Sequence, residues 1–245
     1  MTKRIPVAIQ LYSLRDVAPQ DVAGTLHKIS AMGYQGVEFA GYYNLPSATL
    51  RQLLDDCGLR CAGAHTGLES LEGDAFEATV AMNKALGNTR LIVPGADMSN
   101  LPATIARMSA AHTRAKACGM RVGFHNHTVE FEMDGAMTRF DRIFSSLPSD
   151  FLVQLDIGWA TCAGQDVPAL LRRYAKQLES VHVKEFHPTH KAAAVGEGNV
   201  QWPAIFDVVE KETSVQWYVV EQEQFEVGPL ESAKTCIDNI RKMGR

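Results

Sequence analysis

The sequence predicts a single (β/α)8 barrel that spans residues 1–245. Three observations favour this fold. Helical segments end at glycine and are followed at once by a strand, the middle strands are apolar on both faces, and eight strands recur at intervals of roughly 25 to 35 residues. With 46% hydrophobic residues, the chain can bury the core that such a barrel needs.

The helices are recognised by their ends. Stretches such as KISAMGYQGVEF and RAKACGMRVGF place a glycine just past an amphipathic run, where the left-handed conformation caps the open carbonyls. Apolar residues at helical spacing predict helices over 71–86 and 101–118, and another helix is expected to begin near Trp202. The helix ends predicted in this way lie at Gly33, Gly58, Gly87 and Gly119.

The strands are short, and runs such as RLIV and FLVQL indicate burial on both faces of a parallel sheet. Eight strand and helix units favour a closed barrel over an open doubly wound sheet, which has fewer strands. The first strand also runs into IQLYSLRD and lacks the GxGxxG turn of dinucleotide-binding sheets. The predicted strands cover 7–10, 36–39, 60–64, 90–93, 121–125, 151–156, 180–183 and 217–221.

Composition excludes several classes of partner. The net charge is -4, and Lys and Arg are scattered singly or in pairs, which argues against nucleic acid. No apolar run approaches the ~20 residues needed to cross a bilayer. The N-terminal MTKRIPVAIQ has no apolar signal segment, so we expect a cytoplasmic protein without a membrane partner. The five cysteines contain no CxxC pair and predict neither disulfides nor structural zinc.

Polar residues collect where the predicted strands end. Because the carboxyl ends of all eight strands form one rim in this fold, these side chains are expected to meet there. Strand residues alternate in direction, so His125 and His127 can both point into the barrel mouth. The residues concerned are Gln10, Glu38, His65, His125, His127, Glu130, Asp156, His182, Lys184, Glu185, Glu221 and Glu223.

Several carboxylates and imidazoles in one mouth would repel one another or lack partners, and a divalent cation resolves both problems. Carboxylate oxygens with imidazole suit Mn²⁺, Co²⁺, Mg²⁺ or a catalytic Zn²⁺. Each residue also has a structural interpretation: a single histidine is commonly just hydrogen-bonded, Asp156 can cap the segment after its strand, and Trp159 can fill the core. The combination favours a site for one metal ion.

The chain resembles the xylose isomerase-like barrels, which include sugar phosphate isomerases and epimerases, ketose 3-epimerases and inosose dehydratases. The resemblance runs through IQLYSLRD, GVEF, FHNHTVEF, LDIGWATCAGQD, VHVKEFHP, GEGNVQW and VVEQE. Its most specific parts are the LDxGW segment, the HxKE segment followed by GxGxxxW, and the final VVE.

The resemblance implies one divalent metal ion held by Asp156, His182, Glu221 and a residue after the fifth strand. Many relatives read ENH where this chain reads His125-Asn126-His127, so His125 stands where a glutamate is expected. Either His125 replaces that ligand or Glu130 supplies it; we expect Glu130, with His125 and His127 facing the substrate. Substrate contacts are expected from Gln10, Glu38, His65, His127, Trp159 and Glu223.

The resemblance further implies a small carbohydrate substrate with a carbonyl next to a hydroxyl-bearing carbon. Proton removal would give an enediolate, with His125 and Glu221 as the acid-base pair and Lys184 as electrostatic partner. We expect an isomerase or epimerase acting on a ketose, keto-sugar or sugar phosphate. The alternatives are a lyase or dehydratase on a 3-keto-sugar or inosose, and a noncatalytic sugar-binding barrel.

The sequence leaves open whether the substrate is phosphorylated, and it leaves the oligomeric state open as well. The GEGN segment after the seventh strand is a candidate phosphate cradle, but Glu185 and Glu197 oppose Lys184 and Lys191 there, so a neutral sugar or cyclitol fits at least as well. A DNA-repair endonuclease of the same superfamily would need more metal ligands and a basic groove. Relatives are frequently dimers or tetramers, so the resemblance allows a homo-oligomer.

Overall fold

A computed structural model describes residues 4–245 and contains a closed barrel of eight parallel strands. The predicted fold class is therefore confirmed. The predicted strand limits agree with the observed ones to within two residues at each end. In chain order the strands are β1 (Val7–Gln10), β2 (Gly36–Ala40), β3 (Arg60–His65), β4 (Arg90–Val93), β5 (Arg121–His125), β6 (Leu152–Asp156), β7 (Leu178–Val183) and β8 (Trp217–Val220).

Helices connect the strands, and a short antiparallel hairpin of Met133–Asp134 and Met137–Thr138 follows β5. Nearly every strand is followed by one helix, and β6 is followed by two. The helices are α1 (Val22–Met32), α2 (Ser47–Asp56), α3 (Ala75–Ala85), α4 (Leu101–Ala117), α5 (Arg139–Ser146), α6 (Ile157–Cys162), α7 (Val167–Arg173), α8 (Trp202–Glu212) and α9 (Pro229–Lys242).

The barrel closes because β1 pairs in parallel with both β2 and β8. The carboxyl ends of the eight strands therefore meet at one rim. Register decides which side chains become neighbours there. Gln10 pairs with Glu38 across β1 and β2, and Asp156 pairs with His182 across β6 and β7.

The predicted helix ends are confirmed, since the four glycines have φ between 63° and 95°. The helix predicted over 101–118 is observed as α4. The helix predicted over 71–86 is shorter than expected and begins at Ala75. Gly73, with φ of 49°, separates it from a 3-10 turn at Leu68–Leu71.

An apolar floor closes the barrel interior below the polar residues. It consists of Ala8, Ala62, Trp217 and Val219, which form a buried cluster separate from the main core. Ala8 lies two residues before Gln10, and Val219 lies two residues before Glu221, so each pair shares the inward face of its strand. The polar side chains of the mouth are therefore stacked on an apolar base.

None of the helices within residues 4–245 is both long enough and apolar enough to pass through a bilayer.

Candidate active site

Four side chains from neighbouring strands converge at the carboxyl rim of the barrel. His125 ends β5, Asp156 ends β6, His182 lies in β7, and Glu221 directly follows β8. All four are buried, and each offers one ligand atom within 4.8 Å of those of the others. We call these four residues the rim cluster.

The facing atoms of the rim cluster can be identified from their distances. His182 Nδ1 lies 3.1 Å from Glu221 Oε2 and 3.9 Å from Asp156 Oδ2. His125 Nε2 lies 4.0 Å from the same Asp156 Oδ2. Two imidazoles and two carboxylates therefore face a common point, which is the donor set expected for a transition-metal ion.

The two carboxylate oxygens of Asp156 have different surroundings. Oδ1 accepts a hydrogen bond of 2.7 Å from the backbone N–H of Trp159 and so caps α6. Oδ2 is buried and has no hydrogen-bond partner among the described residues. Burial raises the pKa of Asp156 to about 7, against the opposing attraction of Lys184 and His182. The capping role expected from the sequence is real, but it leaves one oxygen for a ligand.

Glu38 forms a second polar layer beneath the rim cluster. Its Oε2 accepts hydrogen bonds from His182 Nε2 at 2.7 Å and Gln10 Nε2 at 2.9 Å. Burial would raise the pKa of Glu38, but the neighbouring His65 and His182 hold it well below its ordinary value. Since His182 Nε2–H donates to this carboxylate, its Nδ1 is the nitrogen presented to the rim cluster.

His182 lies between two carboxylates. Burial alone would lower its pKa, but Glu38 and Glu221 raise the pKa of His182 to about 10. The pKa of Glu221 shifts in the opposite direction. Burial would raise it, but Lys184 and His182 hold the pKa of Glu221 well below its usual value. Both residues are therefore charged at neutral pH in the metal-free protein.

Gln154 in β6 was not anticipated from the sequence. Its Nε2 donates to Glu38 Oε1 at 2.7 Å and to Ser180 Oγ at 2.9 Å, so its Oε1 is the acceptor for the facing histidines. His65 Nε2 lies 2.8 Å and His125 Nδ1 lies 3.2 Å from that oxygen. The hydrogen bond from Nδ1–H leaves the lone pair of His125 on Nε2, which faces Asp156.

The two histidines after β5 have different surroundings. His125 is 1% exposed, and burial together with the nearby His182 and His65 lowers its pKa well below the usual range. His127 is only partly buried, and burial lowers the pKa of His127 as well. Its ring lies 5.1 Å from the His125 ring and 5.9 Å from the Trp159 ring, with no hydrogen bond to a described residue.

Lys184 connects the cluster to the outer part of the mouth. Its Nζ lies 3.6 Å from Glu221 Oε2, contacts Glu223 Oε1, and lies 4.7 Å from the Trp159 ring centroid. Burial would lower the pKa of Lys184, but Glu221 and Asp156 raise it. The ammonium group is thus a fixed positive charge next to the rim cluster.

Comparison with known proteins identifies the family. The family described as xylose isomerase-like TIM barrel matches residues 26–243. The chain belongs to this family. A curated relative, the rhizopine catabolism protein MocC of Rhizobium meliloti, is 26% identical over 263 aligned residues, which cover 89% of this chain and 80% of that protein.

Solved structures share the fold of this xylose isomerase-like barrel. A sugar phosphate isomerase/epimerase from Parabacteroides distasonis has a TM-score of 0.85 at 22% identity, over 98% of each chain. The probable 3-DHS dehydratase AsbF from Bacillus anthracis has a TM-score of 0.71 at 12% identity, over 97% of this chain and 99% of that one. At these identities the likeness establishes the fold alone.

The geometry does not support Glu130 as the fourth ligand. Glu130 is 1% exposed, and its Oε2 accepts a hydrogen bond of 2.7 Å from the backbone N–H of His127. It lies in a 3-10 turn, Val129–Phe131, and is not part of the rim cluster. Burial raises the pKa of Glu130. His125, which ends the strand and faces inward, takes the place that we expected for Glu130.

Two predicted substrate contacts also lie elsewhere. Gln10 and Glu38 are 0% exposed, bind each other, and line neither of the two cavities at the rim. Gly63 makes room for the Glu38 carboxylate, because a Cβ there would lie 2.6 Å from Glu38 Oε1. In the structure these two residues hold His182 and Gln154 in place from beneath the rim, which does not support the expected substrate contacts.

The GxGxxxW motif is explained by Glu185. Its carboxylate accepts hydrogen bonds from the backbone N–H groups of Gly196 at 2.7 Å and Val200 at 3.1 Å, and from Trp202 Nε1 at 2.7 Å. Gly198 passes so close that a Cβ would lie 2.4 Å from the Phe186 carbonyl oxygen. The segment is therefore a packed loop around a buried acid, and these contacts leave no free oxygen on Glu185.

Two adjoining cavities open onto the rim. The first has a volume of about 340 Å³ and reaches the rim cluster, since His125 and Glu221 line it together with His65, His127, Tyr12 and Glu223. The second has a volume of about 380 Å³ and is lined on one side by Trp159, Lys184 and Glu223. Of the predicted substrate contacts, His65, His127, Trp159 and Glu223 therefore do face open space.

Proposed function

We propose that this chain is a divalent-metal-dependent isomerase or epimerase that acts on a carbohydrate with a carbonyl next to a hydroxyl-bearing carbon. The observation that carries the proposal is the rim cluster: four buried ligand atoms within 4.8 Å of one another, beside a cavity of about 340 Å³. The family and its structural relatives, which include a sugar phosphate isomerase/epimerase, support the reaction class.

The residues present fit a metal ion. Asp156 Oδ2 is buried without a hydrogen-bond partner among the described residues, which is costly unless a cation completes it. The hydrogen bonds of Glu38 and Gln154 leave His182 Nδ1 and His125 Nε2 facing that oxygen. We assign the ligands as His125 Nε2, Asp156 Oδ2, His182 Nδ1 and Glu221 Oε2.

A bound divalent ion would polarise the substrate carbonyl and so acidify the neighbouring C–H. The chain then has to move one proton. Glu221 is an ionised carboxylate at the wall of the first cavity, and His127 is a free imidazole whose pKa is lowered by burial. We assign Glu221 and His127 as the acid-base pair. The sequence had pointed to His125 for this role, but its lone pair is directed at the rim cluster.

Lys184 is assigned an electrostatic role. Its Nζ lies 3.6 Å from Glu221 and is held by Glu223, so its position is fixed before substrate binds. A preorganised positive charge stabilises negative charge that develops on the substrate oxygens. It also favours the ionised form of Glu221, as the lowered pKa of Glu221 indicates.

A dehydratase reaction on a keto-sugar is the second candidate, and the unequal walls of the cavity favour it. Epimerisation needs proton donors and acceptors on opposite faces of one carbon, which two similar carboxylates provide. Here one group is a carboxylate and the other is a neutral imidazole. An imidazole can take the proton from carbon and then give it to a departing hydroxyl, which completes an elimination.

The test begins with the metal content of protein purified without chelator. The metal-loaded protein is then incubated in D₂O with ketoses, 3-keto-glycosides and inososes, and the products are read by NMR. We expect about one metal ion per chain and deuterium at the carbon next to the carbonyl. A rearranged sugar indicates isomerase or epimerase activity, and loss of water indicates a dehydratase. Metal-free protein that binds sugars without any exchange would identify a noncatalytic binding barrel instead.

His127→Asn tests the acid-base assignment. We expect it to retain the metal and lose turnover by ~10²–10⁴-fold, the usual contribution of a general acid or base. His125→Ala is the comparison, because we expect it to lose the metal itself. Full turnover in the His127 variant would contradict the assignment while leaving the metal site intact.

A further inference from the structure

The second cavity lies beside the first. Glu223 lines both, whereas Lys184 and Trp159 line the second. The Trp159 ring lies 5.9 Å from the ring of His127, which lines the first cavity, and Lys184 Nζ lies 3.6 Å from Glu221, which also lines it. A molecule held at the rim cluster can therefore extend past Glu223 toward the second cavity.

The buried wall of the second cavity offers apolar surface and few free polar groups, and the polar residues Lys191 and Gln224 that also line the cavity are exposed. Its walls include Trp159, Phe186 and Pro188. Three of its polar side chains already have partners in the protein. The Glu185 carboxylate accepts hydrogen bonds from the backbone N–H groups of Gly196 and Val200 and from Trp202 Nε1. Gln222 Nε2 donates to the carbonyl oxygens of Ala193 and Gln224, and Lys184 is held by Glu223.

We infer that the substrate is a sugar that carries an aromatic or similarly apolar substituent, with the sugar at the rim cluster and the substituent in the second cavity. A second polyhydroxylated unit would find few free partners on the buried wall of this cavity, whereas an apolar group needs none. A phosphate at Lys184 is disfavoured because its ammonium group is already paired with Glu221 and Glu223, and the other lysine of the cavity, Lys191, is exposed. This inference deepens the proposed function and rests on it for the orientation of the sugar.

The size of the cavities supports the same occupant. Each cavity alone lies near the lower end of the ~300–1,000 Å³ range of small-molecule sites, while the two together accommodate a substituted sugar.

The test compares two probes that differ only in the substituent, phenyl glucoside and methyl glucoside, each in both anomeric forms. Dissociation constants are measured by calorimetry with the Mn²⁺-loaded and the metal-free protein. We expect phenyl glucoside of one anomeric form to bind at least ~10-fold more tightly than its methyl counterpart, because the ring buries apolar surface in the second cavity. Equal affinities, no phenyl glucoside binding up to ~10 mM, or tighter binding of glucose 6-phosphate would overturn the inference.

Variants locate the effect. Trp159→Leu and Phe186→Ala should each reduce the phenyl to methyl ratio to below ~3-fold, and Phe186→Ala should do so with little change in the affinity for methyl glucoside. Trp217→Phe is the matched control, since Trp217 lies at the opposite end of the barrel and should leave the ratio unchanged. An unchanged phenyl to methyl ratio in both variants would contradict the placement of the substituent in the second cavity.

The outcome is separable from that of the proposed function. If the protein takes up no metal and shows no turnover but still prefers phenyl glucoside, the second cavity is supported and the metal-dependent reaction is rejected. Turnover of unsubstituted ketoses without a phenyl preference would do the reverse.

Discussion

Replacing Asp156 by Asn separates the two roles of this residue. Asn keeps the oxygen that caps α6, because Asn and Asp are equivalent N-caps, and replaces only the unpartnered Oδ2. It also removes a buried carboxylate whose pKa is raised to about 7 by burial. We therefore expect the metal-free Asp156→Asn protein to be at least as stable as the wild type, and its metal affinity to be largely lost.

The size of the effect follows from mass action. A metal ion that binds only the folded protein stabilises it by ~2.7 kcal/mol at a free concentration 100 times its dissociation constant. For a chain of 245 residues, each kcal/mol shifts the melting temperature by ~2–4 °C, so we expect Mn²⁺ to raise the wild-type value by roughly 5–11 °C. The same addition should shift the Asp156→Asn protein by less than ~2 °C.

Thermal unfolding followed by circular dichroism, with and without Mn²⁺, measures both quantities. Asp166→Asn is the matched control, because Asp166 caps α7 in the same way and lies outside the rim cluster. It should behave as the wild type does in both conditions. An equal Mn²⁺-induced shift in the Asp156 variant and the wild type would refute the assignment of Asp156 as a ligand.

Three further predictions follow from the same contacts. Glu38→Gln should weaken Mn²⁺ binding by ~10–100-fold in calorimetry, because it removes the negative charge beside the His182 imidazole and replaces one of the two acceptor oxygens with an amide donor; unchanged affinity would contradict this. His125→Ala should lose bound metal in elemental analysis and Glu130→Gln should keep it, and the reverse result would restore the original expectation. Gly198→Ala should lower the melting temperature, since its Cβ would meet a backbone oxygen at 2.4 Å, whereas Gly95→Ala, with nothing within 4 Å, should not.

The barrel could be predicted from the sequence because its signals are local. Glycine caps and short apolar strands repeat along the chain, and each signal depends on a few adjacent residues. The one helix with a wrong start, α3, was extended because apolar spacing continues through Gly73 and hides the break. A glycine with φ of 49° ends regular structure whatever the apolar pattern suggests.

Depth within the barrel was the information that the sequence lacked. Alternation correctly predicts that Glu38 faces inward, but it does not reveal that Glu38 lies one layer below His125. That layer depends on the stagger between strands, which only the closed sheet defines. Glu38 therefore resembles a substrate contact in the sequence and is a fully buried partner of His182 in the structure.

The inward position of Gln154 can be predicted from its spacing to Asp156, but the apolar residues around it hide this pattern. It lies in the run FLVQLD, which indicates a buried apolar strand, and one polar residue does not change that pattern. Gln154 is, however, two residues before Asp156 and so shares its inward face. Applying the alternation backwards from each rim residue would have found it, together with Ser180, two residues before His182.

A metal site could be proposed from the sequence without its full ligand set because charge balance and ligand identity depend on different information. Four carboxylates at or just beneath the rim share His182 and Lys184 as partners: Glu38, Asp156, Glu221 and Glu223. Protonated His182 and Lys184 supply two positive charges, so two negative charges remain when Asp156 is ionised. Burial raises the pKa of Asp156 despite the attraction of Lys184 and His182, and its unpartnered Oδ2 marks where a divalent cation would supply positive charge. Counting charges at the strand ends reveals the excess of negative charge. Only the folded barrel shows that His125 faces Asp156 Oδ2 and that Glu130 does not.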